Sequence, residues 1–206
     1  MSLRPRPTLT TLRGEFAHLH EDLSMADQKT EDAHANEISV GWQNQLYEAL
    51  RRQGVTQFSY VPDAGHRVCI DRSIADPDVH SIALTTEEEG VALACGAHLG
   101  GAKSVLLMQS SGLGNCVNFM SMVKNGRFPF LTVLSMRGDF GEGNPWQMGM
   151  GQAARKVCEA LDFIVLEVTK PEEVVPTIDA AANMVWKSGQ AVAVLLSQRL
   201  IGAKAF

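Results

Sequence analysis

Three acidic residues in a row, Glu87-Glu88-Glu89, follow the threonine pair Thr85-Thr86 and open a run of small apolar residues. The ordinary chemistry for such a cluster is helix capping. Thr86 as N-cap with Glu89 three residues on makes a capping box, and acids in a first turn suit the positive end of the helix dipole. That reading accounts for Glu88 and Glu89 but not for Glu87, whose helical neighbours at 90, 91 and 94 are Gly, Val and Ala. The run Val91–Ala97 is apolar on every side, so the helix is expected to be buried. A carboxyl at the mouth of a buried helix is costly unless it has a partner, which makes Glu87 a candidate for proton chemistry.

Three further clusters carry polar groups: Pro62-Asp63-Ala64-Gly65-His66, Gln109-Ser110-Ser111-Gly112-Leu113-Gly114-Asn115 and Arg137-Gly138-Asp139. The second could cradle a phosphate through backbone N–H groups. It contains neither GxxxxGK[ST] nor GxGxxG, and a tight turn is the simpler reading. His66 sits in a loop where a ligand role is open, whereas His98 reads as a satisfied core histidine. Arg137 could hold an anion or make a surface ion pair. Met120, Met122, Met148 and Met150 read as gap fillers.

These clusters need elements to position them. Trp42, Leu46, Ala49 and Leu50 recur at helical spacing, with Gly54 as a stop. Strands are expected at 55–61, 79–85, 104–109, 130–136, 163–168 and 191–197. Helices are expected at about 65–74, 87–101, 114–125, 154–162 and 171–189, with a glycine-rich loop from 138 to 151. Strands and helices alternate, and several strands are continuous apolar runs. That pattern marks an α/β fold: a three-layer open parallel sheet with helices on both faces. Ligands of such sheets bind outside the carboxyl ends of the strands, where all four clusters fall.

The chain has 206 residues, 45% of them hydrophobic, enough for one compact domain at about 38–206. Residues 1–37, with His18, His20 and His34, are polar and poorly periodic and read as an arm, a candidate for disorder. A net charge of −5 gives no basic surface for nucleic acid. No run has the length of a membrane span, and the start has no apolar signal segment. Cys69, Cys95, Cys116 and Cys158 form no CxxC pair, so no zinc site is expected. Cys95 and Cys116 read as reduced core thiols, and the chain as cytoplasmic.

Taken together, the clusters resemble the pyrimidine-binding domain of thiamine-diphosphate-dependent 2-oxo acid decarboxylases. That family carries a glutamate followed nine residues later by a glycine, matched here by Glu87 and Gly96. Val61-Pro62-Asp63 and Met108–Asn115 resemble its phosphonopyruvate and sulfopyruvate decarboxylase branch. Arg137-Gly138, followed by Gly141, Pro145, Gln147, Met150 and Gly151, is most similar to the sulfopyruvate decarboxylase alpha subunits. Ala64 stands where the branch usually has serine, and His66 where it has an apolar residue.

The resemblance implies a thiamine-diphosphate-binding fold and a decarboxylase subunit acting on a short anionic 2-oxo acid, sulfopyruvate first. Phosphonopyruvate or another 2-oxo acid, or a non-catalytic module keeping the fold, are the alternatives. It implies Glu87 as the acid that bonds the pyrimidine ring nitrogen, with Pro62, Ser111, Gly112, Gly114 and Asn115 around the cofactor. Asp63, His66, Gln109 and Arg137 are the implied substrate candidates. The family's second domain holds diphosphate and magnesium through a Gly-Asp-Gly motif, which these residues lack. No metal ligand is therefore expected here. A beta subunit carrying that domain is implied, together with self-association of the pyrimidine domains.

Overall fold

The structure is a computed structural model that describes residues 41–202. The expectations for the arm, including its three histidines, lie outside the described residues. Helix α1, Trp42–Arg52, buries Leu46, Tyr47, Ala49 and Leu50 on one side and stops at Gly54, whose φ of 83° suits glycine. Strand β1, Val55–Tyr60, leads through a 3₁₀ turn, Ala64–His66, into α2, Arg67–Ala75. Strand β2, His80–Ala83, precedes α3, Glu87–Leu99, and β3, Lys103–Gln109. Two short helices follow, α4, Ser110–Cys116, and α5, Met120–Gly126, and then β4, Phe130–Ser135. Helix α6 is Pro145–Ala160, β5 Ile164–Val168, α7 Val174–Trp186, β6 Ala191–Leu196 and α8 Gln198–Ile201.

The strands form one sheet in the order β2-β1-β3-β4-β6-β5, with every neighbouring pair parallel. Alternate residues of each strand enter opposite cores, as strand geometry requires. Val105 and Leu107 of β3 join the core under α1, α2 and α7, while Leu106 and Met108 join the one under α3 to α6. The β6 residues divide the same way: Val192, Val194 and Leu196 on one side, Ala193 and Leu195 on the other. Buried on both faces, these strands need apolar residues throughout, which explains the continuous runs in the sequence. Among the described residues, no helix is long and apolar enough to cross a membrane.

Several local expectations are corrected. The glycine-rich segment after β3 is not a turn, because α4 begins at Ser110, directly out of the strand. The expected loop at 138–151 is helical from Pro145 onward. Asn144 caps it by accepting from Trp146 N at 3.1 Å, and Pro145 fills the first position, where no N–H is needed. Helix α3 is apolar all round but buried on one side only. Glu87, Gly90, Val91, Ala94 and Cys95 are buried, while Ala92, Gly96, His98 and Leu99 are exposed. His98 is therefore not a core histidine; its ring stands edge-on to Phe128 at 6.0 Å. Of the four methionines, Met120 is fully buried, but Met122 and Met148 are about 40% exposed.

Helix α6 is seated by two glycines. A Cβ on Gly151 would lie 2.0 Å from the Arg137 carbonyl oxygen and 2.6 Å from the Gly138 Cα. Gly138 has φ 70°, and a Cβ there would meet the Gln147 carbonyl oxygen at 2.2 Å. The obstacles are backbone, which cannot rotate away. Gly151→Ala is expected to lower stability by about 1–3 kcal/mol, the scale of overpacking, read as a fall in the urea midpoint with an unchanged slope.

Candidate active site

The chain runs from β1 outward to β2 and returns to place β3 on the other side of β1. The connections leaving β1 and β3 thus diverge and open a crevice at their carboxyl ends, the usual ligand position in open parallel sheets. Gln109, at the end of β3, reaches across it, its Nε2 donating to Asp63 Oδ1 at 3.2 Å.

Glu87 is the first residue of α3 and is 9% exposed. Its carboxyl lies directly on Gly112 of α4, where a Cβ would come within 2.3 Å of Oε1 and 2.5 Å of the carboxyl carbon. Asn115, one turn further along α4, donates from Nδ2 to Glu87 Oε2 at 2.8 Å. The partner that burial demands is therefore an amide supplied by the neighbouring helix. Oε1 accepts no hydrogen bond among the described residues. The expected capping box forms only in part. Thr86 is the N-cap without a side-chain bond to the helix, and its hydroxyl goes to Glu88. Glu89 Oε2 reaches back one residue further, to Thr85 N at 2.9 Å. Both acids are thereby engaged in the helix start, and Glu87 alone turns toward α4.

Asp63 organises the crevice floor. Its carboxylate accepts from Gly65 N at 3.1 Å, from Ser135 Oγ at 2.5 Å and from Gln109. Ser111 Oγ donates to Gln109 Oε1 at 2.9 Å, which fixes the amide's orientation. Asp63, Gly65, Gln109, Ser135 and Arg137 line a cavity of about 230 Å³. Pro62 is exposed beside it on a second cavity shared with Asp63 and Arg67. Gly114 meets the Met150 side chain at 3.4 Å from where its Cβ would be, an ordinary contact.

Arg137 reaches the cavity wall with its charge already matched. Its Nε and Nη2 donate to the two oxygens of Glu142 at 2.6 and 2.8 Å, and the Glu142 side chain is 1% exposed. Glu142 also accepts from Asn144 N at 2.9 Å and Gln198 Nε2 at 3.0 Å. Those donors, Arg137 first, hold its carboxyl well below the usual carboxylate range. Gln198 in turn receives Asp139 N and Phe140 N, and Asp139 receives Ser197 Oγ and Gln198 N. The loop after β4 is thus locked to the start of α8.

His66 turns away from the cavity. Its ring is enclosed, with Nε2 3.2 Å from the Met108 carbonyl oxygen, and burial lowers its basicity, favouring the neutral ring. All four cysteines are free and buried, and burial pushes the Cys116 thiol up to about 12. The structure therefore brings Glu87, Gly112 and Asn115 together at one point and Asp63, Gln109, Ser111 and Arg137 at another, and leaves His66 behind the wall. Ser135 and Glu142 were missed. Ser135 ends a strand at the ligand edge, a signal that was available. Glu142 is one acid in a glycine-rich stretch and gives no such signal. Among the described residues, no group of three or more His, Cys, Asp or Glu side chains could hold a metal ion.

No family model matches the chain. The sulfopyruvate decarboxylase subunit alpha of Methanococcus maripaludis is 36% identical over 152 residues, which is 73% of this chain and 91% of that one. The chain belongs to the family of sulfopyruvate decarboxylase alpha subunits. The phosphonopyruvate decarboxylase of Streptomyces viridochromogenes is 37% identical over 120 residues, 57% of this chain but 30% of that protein. Among solved structures, a 2-oxoglutarate:ferredoxin oxidoreductase from Magnetococcus marinus, with 2-oxoglutarate, coenzyme A and succinyl-CoA bound, aligns with a TM-score of 0.61. At 17% identity, over 79% of this chain and 29% of that one, it shows a shared fold. The sulfopyruvate decarboxylase alpha-subunit framework thus includes the parallel sheet and the crevice at β1 and β3.

The Arg137–Glu142 pair yields a stability prediction. Glu142→Ala leaves a buried guanidinium without its carboxylate and is expected to cost about 3 kcal/mol or more. Because the folded carboxyl sits below its ordinary value of 4.5, its contribution is whole above that pH and is lost as pH falls below it. Denaturant midpoints from pH 7 to 3 should fall for the wild-type chain more steeply than for Glu142→Ala. Parallel slopes would refute the assignment.

Proposed function

We propose that the chain is the alpha subunit of a thiamine-diphosphate-dependent decarboxylase that converts sulfopyruvate to sulfoacetaldehyde and carbon dioxide. The observation that carries this reading is the seat of Glu87. One carboxyl oxygen is held by Asn115, and the other lies over a bare glycine at the ligand edge of the sheet. Oε1 accepts no hydrogen bond among the described residues, which suits a nitrogen of a flat heteroaromatic ring such as an aminopyrimidine offers. Bound thiamine diphosphate would supply the electron sink that loss of carbon dioxide from a 2-oxo acid requires. Glu87 would hold a proton at Oε1 and could exchange it with such a ring nitrogen. Asp63, Gln109 and Ser135 offer polar contacts in the neighbouring cavity, and Arg137 stiffens its wall. Pro62, Ser111 and Gly114 shape the rim. In this reading His66 supports the wall from behind rather than touching substrate.

The described residues offer no cage for magnesium, so diphosphate and metal are assigned to a beta subunit that completes the site. Self-association is supported by the outward face of α3 and by exposed Phe119, Met122, Trp146 and Met148, apolar side chains that a partner surface would cover. The working enzyme is then a cytoplasmic hetero-oligomer. Phosphonopyruvate is the second substrate reading, favoured by the Streptomyces relative's name.

Two measurements test the proposal. The complex with the beta subunit, supplied with thiamine diphosphate and magnesium, should decarboxylate sulfopyruvate faster than phosphonopyruvate or pyruvate. The chain by itself should bind the cofactor weakly and turn nothing over, and turnover by the isolated chain would contradict the shared site. Glu87→Gln in the complex should slow exchange of the cofactor's C2 proton by about 10²-fold or more, the scale for losing a positioned acid. Glu88→Gln and Glu89→Gln should leave that rate nearly unchanged. Insensitivity at all three positions ends the thiamine reading.

A further inference from the structure

We propose that Asn115 is a positioning residue that decides which oxygen of Glu87 carries the proton. The inference rests on the thiamine reading and deepens it. A carboxyl in water carries its proton on either oxygen, and the two are equivalent. Here they are not. The Asn115 amide points an N–H at Oε2 from 2.8 Å, which makes Oε2 an acceptor and leaves Oε1 as the atom that a proton would occupy. Oε1 is the oxygen over Gly112, where any side chain would stand in its place.

Gly112 and Asn115 are three residues apart on α4 and so share one face of that helix. The residue that makes room for the carboxyl and the residue that orients it are delivered as a unit. Helix α4 is itself held in register because it leaves β3 without a connecting loop. Were Glu87 to give up a proton, the Asn115 bond would become charge-assisted and would stabilise the carboxylate left behind. Asn115 touches Glu87 and acts through it. The bond also gives a 9% exposed carboxyl a polar partner for one of its oxygens without a counter-charge.

The test uses the complex with its beta subunit, loaded with thiamine diphosphate and magnesium. Asn115→Leu keeps the side chain's shape and removes the donor. Asn115→Ala, at an exposed helical position, is a second variant that keeps the fold even if leucine packs badly. Cofactor affinity, followed by quenching of tryptophan fluorescence, should change by less than about threefold, because the ring's other contacts remain. C2 proton exchange should fall about 10- to 100-fold in both variants, the range expected for a hydrogen bond to a charged group. The near-ultraviolet circular dichroism of the bound aminopyrimidine should weaken in parallel. A merely structural role would instead lower melting temperature and affinity together and leave exchange per bound cofactor at the wild-type rate, which overturns the proposal. Glu87→Gln is measured alongside. If it slows exchange while both Asn115 variants do not, the positioning role alone fails. If Glu87→Gln leaves exchange unchanged, the thiamine reading fails first.

Discussion

Burying one carboxyl without a counter-charge is the constraint from which the rest of this site follows. Glu87 needs a hydrogen-bond donor and room, and both come from α4. For α4 to deliver them, it must start at the end of β3 with no loop between, which places two glycines inside a helix that gains little from its own propensity. Packing must compensate. Leu113 and Cys116 are fully buried in the core beneath α3 to α6, and Gly114 lies against Met150 of α6. The carboxyl thus depends on two helices that do not touch it through any charge.

The second arrangement works in the opposite way. Arg137 and Glu142 are full charges taken out of water together, and the carboxylate collects five donors from three segments. Such a pair adds little net stability against an apolar alternative, but it fixes a geometry. It holds the loop after β4 against the start of α8 and so sets one wall of the cavity next to Asp63. Arg137's charge is answered within its own chain, and its value to the site lies in rigidity.

The sheet, its parallel sense and the strand centres were legible because two-sided burial writes continuous apolar runs into a sequence, and helices between them must cross over. The burial of Glu87 was legible because one acid in three had no local partner. Segment 110–113 was not, since Gly and Ser signal turns unless the packing that overrides them is known, and the helix expected over 114–125 is broken between Cys116 and Met120. The helix from Pro145 was hidden by the glycines at 149 and 151; Gly151 is there for close approach to Arg137 and Gly138, while a Cβ on Gly149 would meet open space. Burial of α3 was overestimated because composition cannot tell a face covered by the same chain from one left open. Buried His66 and the donors gathered by Glu142 depend on contacts distant in sequence, which no local pattern encodes.

The two glycines of α4 show how unequal identical letters can be. Position 112 admits no Cβ while the Glu87 side chain stays where it is, because any other residue places a carbon where that carboxyl already lies. Position 114 meets only the flexible end of Met150 at ordinary contact distance, so the space there has tolerance for a methyl group. A reader scoring the segment by its glycine content gives both the same weight. In the folded chain one is a fixed character and the other an adjustable one, two positions apart on the same helix.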